Sequence, residues 1–476
     1  MADRRALAQG GVRAIGGLIG IGIAAVVIAG ATLLPLSGFA IDAPSKTVHP
    51  IPADQQRVCP GPVLALAADA GQASQPSALG RFSAVYGTDG PDTQTRNLKP
   101  DASTDSVDQS PLALTAATPQ GATRPPLFAG AQVQGVDSPD LTGLAAASCA
   151  EASADSWLVA GATTLGQTSL VLLSNPTSVD ATVNLDIYTE TGHVAAPGAT
   201  GIVVPAGAQK VVPLAGLAPS ATAPVVHVTT TGGAVVATMQ QSFEQGIDPR
   251  GVELAGVTAA PSRVQTISGV AIASLAAITA AQSAESVSVE FPTLRVFVPG
   301  TQDAQITVGA VGETGTAAGN SLAQTVKAGN VAEIPLDHLK DGYFTVTVRS
   351  SVPVVAGVRT SVIGTTTRDF AWYASTPPIT DSQLVAVPPG PAPRLHFANG
   401  GEKDAKVKIQ PASGAAISLT VPAEGGANTA VPTGRYTITG GDGLVVSVSL
   451  QGDGQTSTFG VSPAGPLASA IEVYPH

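Results

Sequence analysis

The chain has 476 residues, of which 12% are charged and 4% aromatic, with 53 glycines, 38 prolines and a formal net charge of −11. That length suffices for about three ordinary domains, and the acidic balance excludes a nucleic-acid binder, because affinity for a phosphate backbone needs clustered Lys and Arg. Abundant Gly and Pro beside Val, Thr and Ala favour short strands and many turns over helical bundles, so the fold class reads as all-β.

Residues 14–41 form an uncharged run of 28 residues behind Arg4, Arg5 and Arg13 and ahead of Asp42. The part up to Leu34 gives about 31 Å of helix, matching a hydrocarbon core of roughly 30 Å. The run reads as a transmembrane signal anchor, with residues 1–13 as a cytoplasmic tail by the positive-inside bias and the bulk of the chain extracytoplasmic. A cleaved signal peptide is the competing reading, with Gly38 and Ala40 at small-residue spacing. The run is longer than the usual apolar region of about 7–15 residues, which favours the anchor, and both readings export the chain. A chance dinucleotide-like pattern around Gly20 and Gly22 follows no strand and is set aside.

Cys59 and Cys149 are the only cysteines, and on an exported chain a structural disulfide is expected between them. Two cysteines so far apart do not make a metal site, and no C-x-x-C pair offers redox chemistry. Residues 42–155 read as an N-terminal exterior β region. Candidate strands fall at 63–67, 81–86 and 127–136, and a flexible polar loop is expected over 86–126, with Asp89, Asp92, Asp101, Asp105 and Asp108.

Beyond Cys149 the same landmarks recur three times. Leu170-Val171-Leu172-Leu173-Ser174-Asn175-Pro176 leads to alternating Val183, Leu185 and Ile187. Leu294-Arg295-Val296-Phe297-Val298-Pro299 leads to Ile306 and Val308, and Leu395-His396-Phe397-Ala398-Asn399-Gly400 to Val407 and Ile409. A turn follows in each copy, at Val204-Pro205-Ala206-Gly207, Val326-Lys327-Ala328-Gly329 and Val421-Pro422-Ala423-Glu424-Gly425, and then an expected hairpin around Val228, Val346 and Ile438. Period-2 alternation bounded by Gly, Pro and Asn marks half-buried antiparallel strands. The expectation is three tandem Ig-like or fibronectin-like β-sandwiches over 156–262, 263–382 and 383–476. The Ala-rich stretch 271–284 is too short to span a membrane and reads as a short helix or an interdomain strand.

Three stretches carry a resemblance: Cys59-Pro60-Gly61-Pro62, Leu144-Ala145-Ala146-Ala147-Ser148-Cys149, and Asp155-Ser156-Trp157-Leu158-Val159-Ala160-Gly161. They are similar to actinobacterial "large secreted proteins", a family catalogued as a domain of unknown function. The resemblance covers most of the chain from Cys59 onward and implies an envelope-associated, membrane-anchored exterior protein. It brings no catalytic residue to carry over.

The histidines are scattered at 49, 193, 227, 338, 396 and 476, and the chain lacks the H-E-x-x-H, G-x-S-x-G, Walker and S-x-x-K signatures. No cofactor, metal or catalytic residue is assigned. Phe370, Trp372 and Tyr373 are the one dense aromatic group, read either as core filling or as a candidate binding patch on which a sugar ring could stack. Lys403, Lys406 and Lys408 alternate with Glu402 and Asp404 as a solvated face. The expected function is a non-catalytic envelope scaffold or binding module, whose partners are the membrane and an envelope protein or glycan. The alternative is an enzyme acting on cell-wall polymer or an accessory subunit of a membrane glycosyltransferase. Mass spectrometry of the mature N-terminus checks the anchor: it should retain residues 14–41, and a chain beginning at or near Asp42 refutes it.

Overall fold

Alternation sets the strands directly: in Ala181–Thr189, Ala181, Val183, Leu185, Ile187 and Thr189 are buried while the residues between them are half-buried or exposed. A computed structural model describes residues 46–48, 54–66, 76–103, 109–122, 124–285, 290–313, 320–336, 339–380, 382–463 and 471–473. The expected anchor at 14–41 and the tail before it lie outside the described residues. Among those described, no helix is long and apolar enough to cross a membrane. They are nearly all β, with a single α-helix, Leu275–Glu285, directly after the strand Ser262–Ile272. Of the two readings of the Ala-rich stretch 271–284, the short helix applies from Leu275 onward, while Ala271 and Ile272 end the strand before it. Lys46–Val48 and Ile471–Val473 pair antiparallel and belong to a unit separate from Pro52–Ala468, the body of the molecule.

Within that body one topology returns three times. In the first copy one sheet has the order Asp155–Leu158, Val225–Gly232, Ala181–Thr189, Gly192–Val194, and the facing sheet Ala208–Pro213, Gln167–Asn175, Val236–Gln245, Asp248–Ala255. Leu158, Val183, Leu185 and Val228 of one sheet and Val171, Leu173, Ala237 and Met239 of the other close on a common core. The third copy repeats this order with Gln383–Val387, Gly434–Thr439, Ala405–Pro411 and Ile417–Val421 facing Gly425–Ala430, Arg394–Asn399, Leu444–Gly452 and Gln455–Val461. In the second copy the strand Gly342–Ile363 serves both sheets. Its first part pairs with Ser262–Ile272 and Ala304–Gly312, and its last part with Thr293–Phe297 and Arg368–Ala374.

This corrects the expected hairpins. Val225–Gly232 and Val236–Gln245 belong to opposite sheets, and the true hairpin is the next one, Val236–Gln245 with Asp248–Ala255. Both elements alternate with period 2, and that period does not say which sheet a strand joins.

The N-terminal region is a fourth copy. Gln55–Cys59, Leu112–Ala116 and Gln94–Asn97 pair in the order of the first sheet, and Ser83–Thr88, Phe128–Asp137 and Thr142–Ser148 in the order of the second. Two of these strands, Gln94–Asn97 and Leu112–Ala116, lie inside the expected loop 86–126, which is therefore not one flexible loop. Leu112–Ala116 is drawn into the sheet because Ala113, Leu114 and Ala116 are buried, with Val58 opposite Ala113 and Arg57 opposite Leu114 on the partner strand.

Each copy ends in an edge strand, and the four edges close a cycle. Thr142–Ser148 lies against Asp248–Ala255, that strand against Arg368–Ala374, that against Gln455–Val461, and the last against Thr142–Ser148. At the centre is Asp369, 1% exposed. Its carboxylate accepts the backbone N–H of Leu144 at 2.9 Å, Val252 at 3.3 Å, Phe370 at 3.0 Å and Thr456 at 3.1 Å, one from each edge strand. A carboxylate has about four lone-pair sites, so one side chain satisfies all four donors. Gly143 and Gly251 are required beside it. They hold φ of +140° and +135°, and a Cβ on either would lie 2.8 and 2.6 Å from Asp369 Oδ1.

Replacing Asp369 with Ala strands four buried amides, each worth roughly 1–3 kcal/mol when unpartnered, so Asp369→Ala should cost about 4 kcal/mol or more. Urea unfolding followed by fluorescence measures it, and a loss under about 1 kcal/mol would contradict the central role.

Candidate functional site

The four edge strands all run out toward a cavity of about 150 Å³. Each copy lines it near the end of its edge strand: Ala147 to Glu151 from the N-terminal copy, Gly256 and Val257 from the first repeat, Ala374 and Thr376 from the second, and Phe459 to Pro463 from the third. The wall is mostly apolar, with Phe128, Trp372, Leu384 and Phe459 all buried. Its charged groups are Arg57 and Glu151, Nη2 to Oε1 3.3 Å. Arg57 is 7% exposed, its guanidinium stands 5.8 Å from the centre of the Phe128 ring, and its Nε has no hydrogen-bond partner among the described residues. Burial lowers its pKa and Glu151 partly restores it. Gly256 and Ser462 are exposed at the rim.

The expected disulfide joins Cys59 and Cys149, with Cys149 in the cavity wall. Gly130 packs on it, since a Cβ there would lie 3.0 Å from Cys149 Sγ. The aromatic group lies elsewhere than on a surface: Phe370, Trp372 and Tyr373 are 0%, 3% and 2% exposed. As an open stacking patch they are corrected, because alternation sends Phe370 and Trp372 to one face and Tyr373 to the other, and both faces are covered. Phe370 and Trp372 complete the core of the first repeat, and Tyr373 sits in the core of the second. Trp372 also borders the cavity, its Nε1 donating to Gln241 Oε1 at 2.6 Å.

Two of the joints between successive copies carry chemistry that sequence reasoning missed, at matching positions of the first landmark. Arg295 of the second repeat is 2% exposed and uses every N–H. Nη1 donates to Gly161 O and Pro224 O, both at 2.9 Å, Nη2 to Thr222 O at 3.2 Å and Glu333 Oε1 at 2.8 Å, and Nε to Glu333 Oε1 at 3.1 Å. The guanidinium also lies over Trp372, 4.5 Å from the ring centre. His396 of the third repeat is wholly buried. Its Nδ1 meets Glu313 Oε2 at 2.5 Å and its Nε2 meets Ser449 Oγ at 2.7 Å. Gly269, at φ +73°, lies against the imidazole, where a Cβ would come within 2.7 Å of Cγ.

Ser449, His396 and Glu313 have the atom order of a nucleophile relay. All three are buried and none lines the cavity. Gly269 N–H and Asn428 Nδ2 also donate to Glu313, so the cluster is tied into the joint between the second and third copies. Of the other described histidines, His227 stacks on Trp157 with ring centres 3.9 Å apart, and His193 is exposed beside Asp186. His49, His338 and His476 lie outside the described residues. No cluster of metal-binding side chains occurs among the described residues.

A second carboxylate stands near Asp369. Glu253 is wholly buried and accepts from Leu254 N–H at 2.9 Å and Ser457 Oγ at 2.8 Å, while Oε2 has no partner among the described residues. Burial pushes the pKa values of Glu253 and Asp369 well above the usual carboxylate range, against the opposing pull of their hydrogen bonds.

The fold and cavity define a class of all-β proteins in which four similar copies close around shared edge strands. The chain belongs to DUF5719, described as a family of unknown function, whose model matches residues 102–434. This bears out the expected membership in a domain family of unknown function. None of the curated proteins matches the chain.

Glu253→Gln provides a pH test. A raised folded pKa means that Glu253 supports the fold below the ordinary glutamate range and loses that contribution as pH rises through the folded value. The variant should therefore match the wild type in acid and become progressively the more stable of the two from about pH 5 upward, as read by urea unfolding across pH. A gap that shrinks with rising pH contradicts the assignment.

Proposed function

We propose that the chain is a non-catalytic, membrane-anchored extracytoplasmic protein, an envelope scaffold or binding module. Its partner is an envelope protein or glycan, as the resemblance to actinobacterial secreted proteins implies. In this reading residues 156–262, 263–382 and 383–476 are Ig-like or fibronectin-like sandwiches behind the region 42–155. The observation that carries it is where the reactive side chains go: Asp369, Arg295 and the His396 cluster all hold copies of the repeat to one another. A molecule that commits Asp369, Arg295 and His396 to internal ties suits a rigid platform better than a mobile active site. The buried disulfide is in keeping with an oxidising compartment outside the cytoplasm.

The Ser449–His396–Glu313 geometry favours a second reading, an enzyme acting on cell-wall polymer. One pair of experiments separates the two. In-cell crosslinking of the full-length protein, followed by identification of captured neighbours, should return a specific envelope component. Incubation with peptidoglycan or envelope polysaccharide should give no turnover. Turnover abolished by Ser449→Ala in a protein that still folds would establish the enzyme and end the scaffold reading.

A further inference from the structure

The cavity combines three features that a merely imperfect junction does not need. Its volume of about 150 Å³ equals that of an apolar cavity known to admit a benzene ring. Its wall is aromatic and aliphatic, from Phe128, Trp372, Leu384 and Phe459. Into this lining the fold brings Arg57, a residue 7% exposed whose Nε finds no acceptor among the described residues. A desolvated guanidinium with an idle donor is costly, and a carboxylate is the acceptor that best matches its planar geometry.

We propose that this cavity is a binding site for a small organic carboxylate whose apolar body is about the size of one six-membered ring, the carboxylate pairing with the Arg57 guanidinium and the body lying against the aromatic wall. Glu151 is the competing anion. It reaches Arg57 through Nη2 at 3.3 Å from a side chain 28% exposed, and it shares the guanidinium with the ligand rather than filling it. The exposed rim at Gly256 and Ser462 supplies a route from solvent. Because all four copies line the cavity, the site exists only when the cycle of edge strands is closed, and occupancy would stabilise the closed form by mass action. The inference does not depend on the envelope reading.

The test uses the purified full-length protein and benzoate as probe, followed by ligand-observed saturation-transfer NMR. Benzyl alcohol and benzylamine serve as controls that keep the ring and replace the carboxylate with a neutral or cationic group. Benzoate should bind saturably, at least about tenfold tighter than either control, the worth of one charge-assisted hydrogen bond in a desolvated site. Arg57→Gln should remove that preference. Ala386→Leu, which fills the cavity and leaves Arg57 in place, should abolish binding. Absence of saturable benzoate binding, a preference for either control, or binding equal in wild type and Ala386→Leu overturns the proposal. The Ala386→Leu comparison stands even if Arg57→Gln fails to fold, and captured envelope neighbours would neither rescue nor refute it.

Discussion

A single buried carboxylate sets the terms for the rest of the body. Edge strands carry unpaired backbone donors, which natural proteins cover, shorten or charge. Here four such edges face one another, and the Asp369 carboxylate takes one amide from each. Burial raises the cost of ionising that carboxyl, and the four amides offset part of it, so Asp369 and the strand geometry depend on each other. The left-handed glycines at 143 and 251 follow from the same constraint, since no side chain fits between those strands and the carboxylate oxygens.

The joints show how one repeat accommodates different chemistry. Leu172, Arg295 and His396 each stand on the first-landmark strand of their repeat and face the preceding copy. Leu172 packs into an apolar cluster with Val63 and Ala145 of the N-terminal copy. Arg295 is clamped by carbonyl oxygens and Glu333, and His396 by Glu313 and Ser449. A buried charged or polar tie is expensive unless every donor and acceptor is matched, and a matched tie penalises any wrong pairing of similar modules. Three copies with identical apolar joints could exchange partners. Three joints of different chemistry discriminate between neighbours.

Much of the architecture could be read from the residues. Alternating Val183, Leu185 and Ile187, with their counterparts at Ile306 and Val308 and at Val407 and Ile409, marked the repeat because period 2 is a local property of the chain. The pairing of Cys59 with Cys149 followed from there being two cysteines. The fourth copy was missed because its strands Gln94–Asn97 and Leu112–Ala116 sit in a polar stretch rich in Asp, Ser and Thr. A faint signal was available: Val58-Cys59-Pro60-Gly61 matches Leu158-Val159-Ala160-Gly161 in position and character, and both glycines adopt positive φ, +95° and +91°. The cavity left no trace in the sequence, because its wall collects residues from eight separate segments.

The sequence by itself determined that the chain is β-structured and modular, since alternation, turn residues and repeats act over a few neighbours. Only the tertiary structure decided that the modules close on one another, that Phe370 and Trp372 fill a neighbouring module's core, and that Asp369 and Arg57 become buried. Those outcomes depend on contacts between strands more than 100 positions apart in the chain, such as the Leu144 N–H to Asp369 bond across 225 positions. No local pattern encodes the free energy of such a contact, because the partners meet only after each sheet has formed.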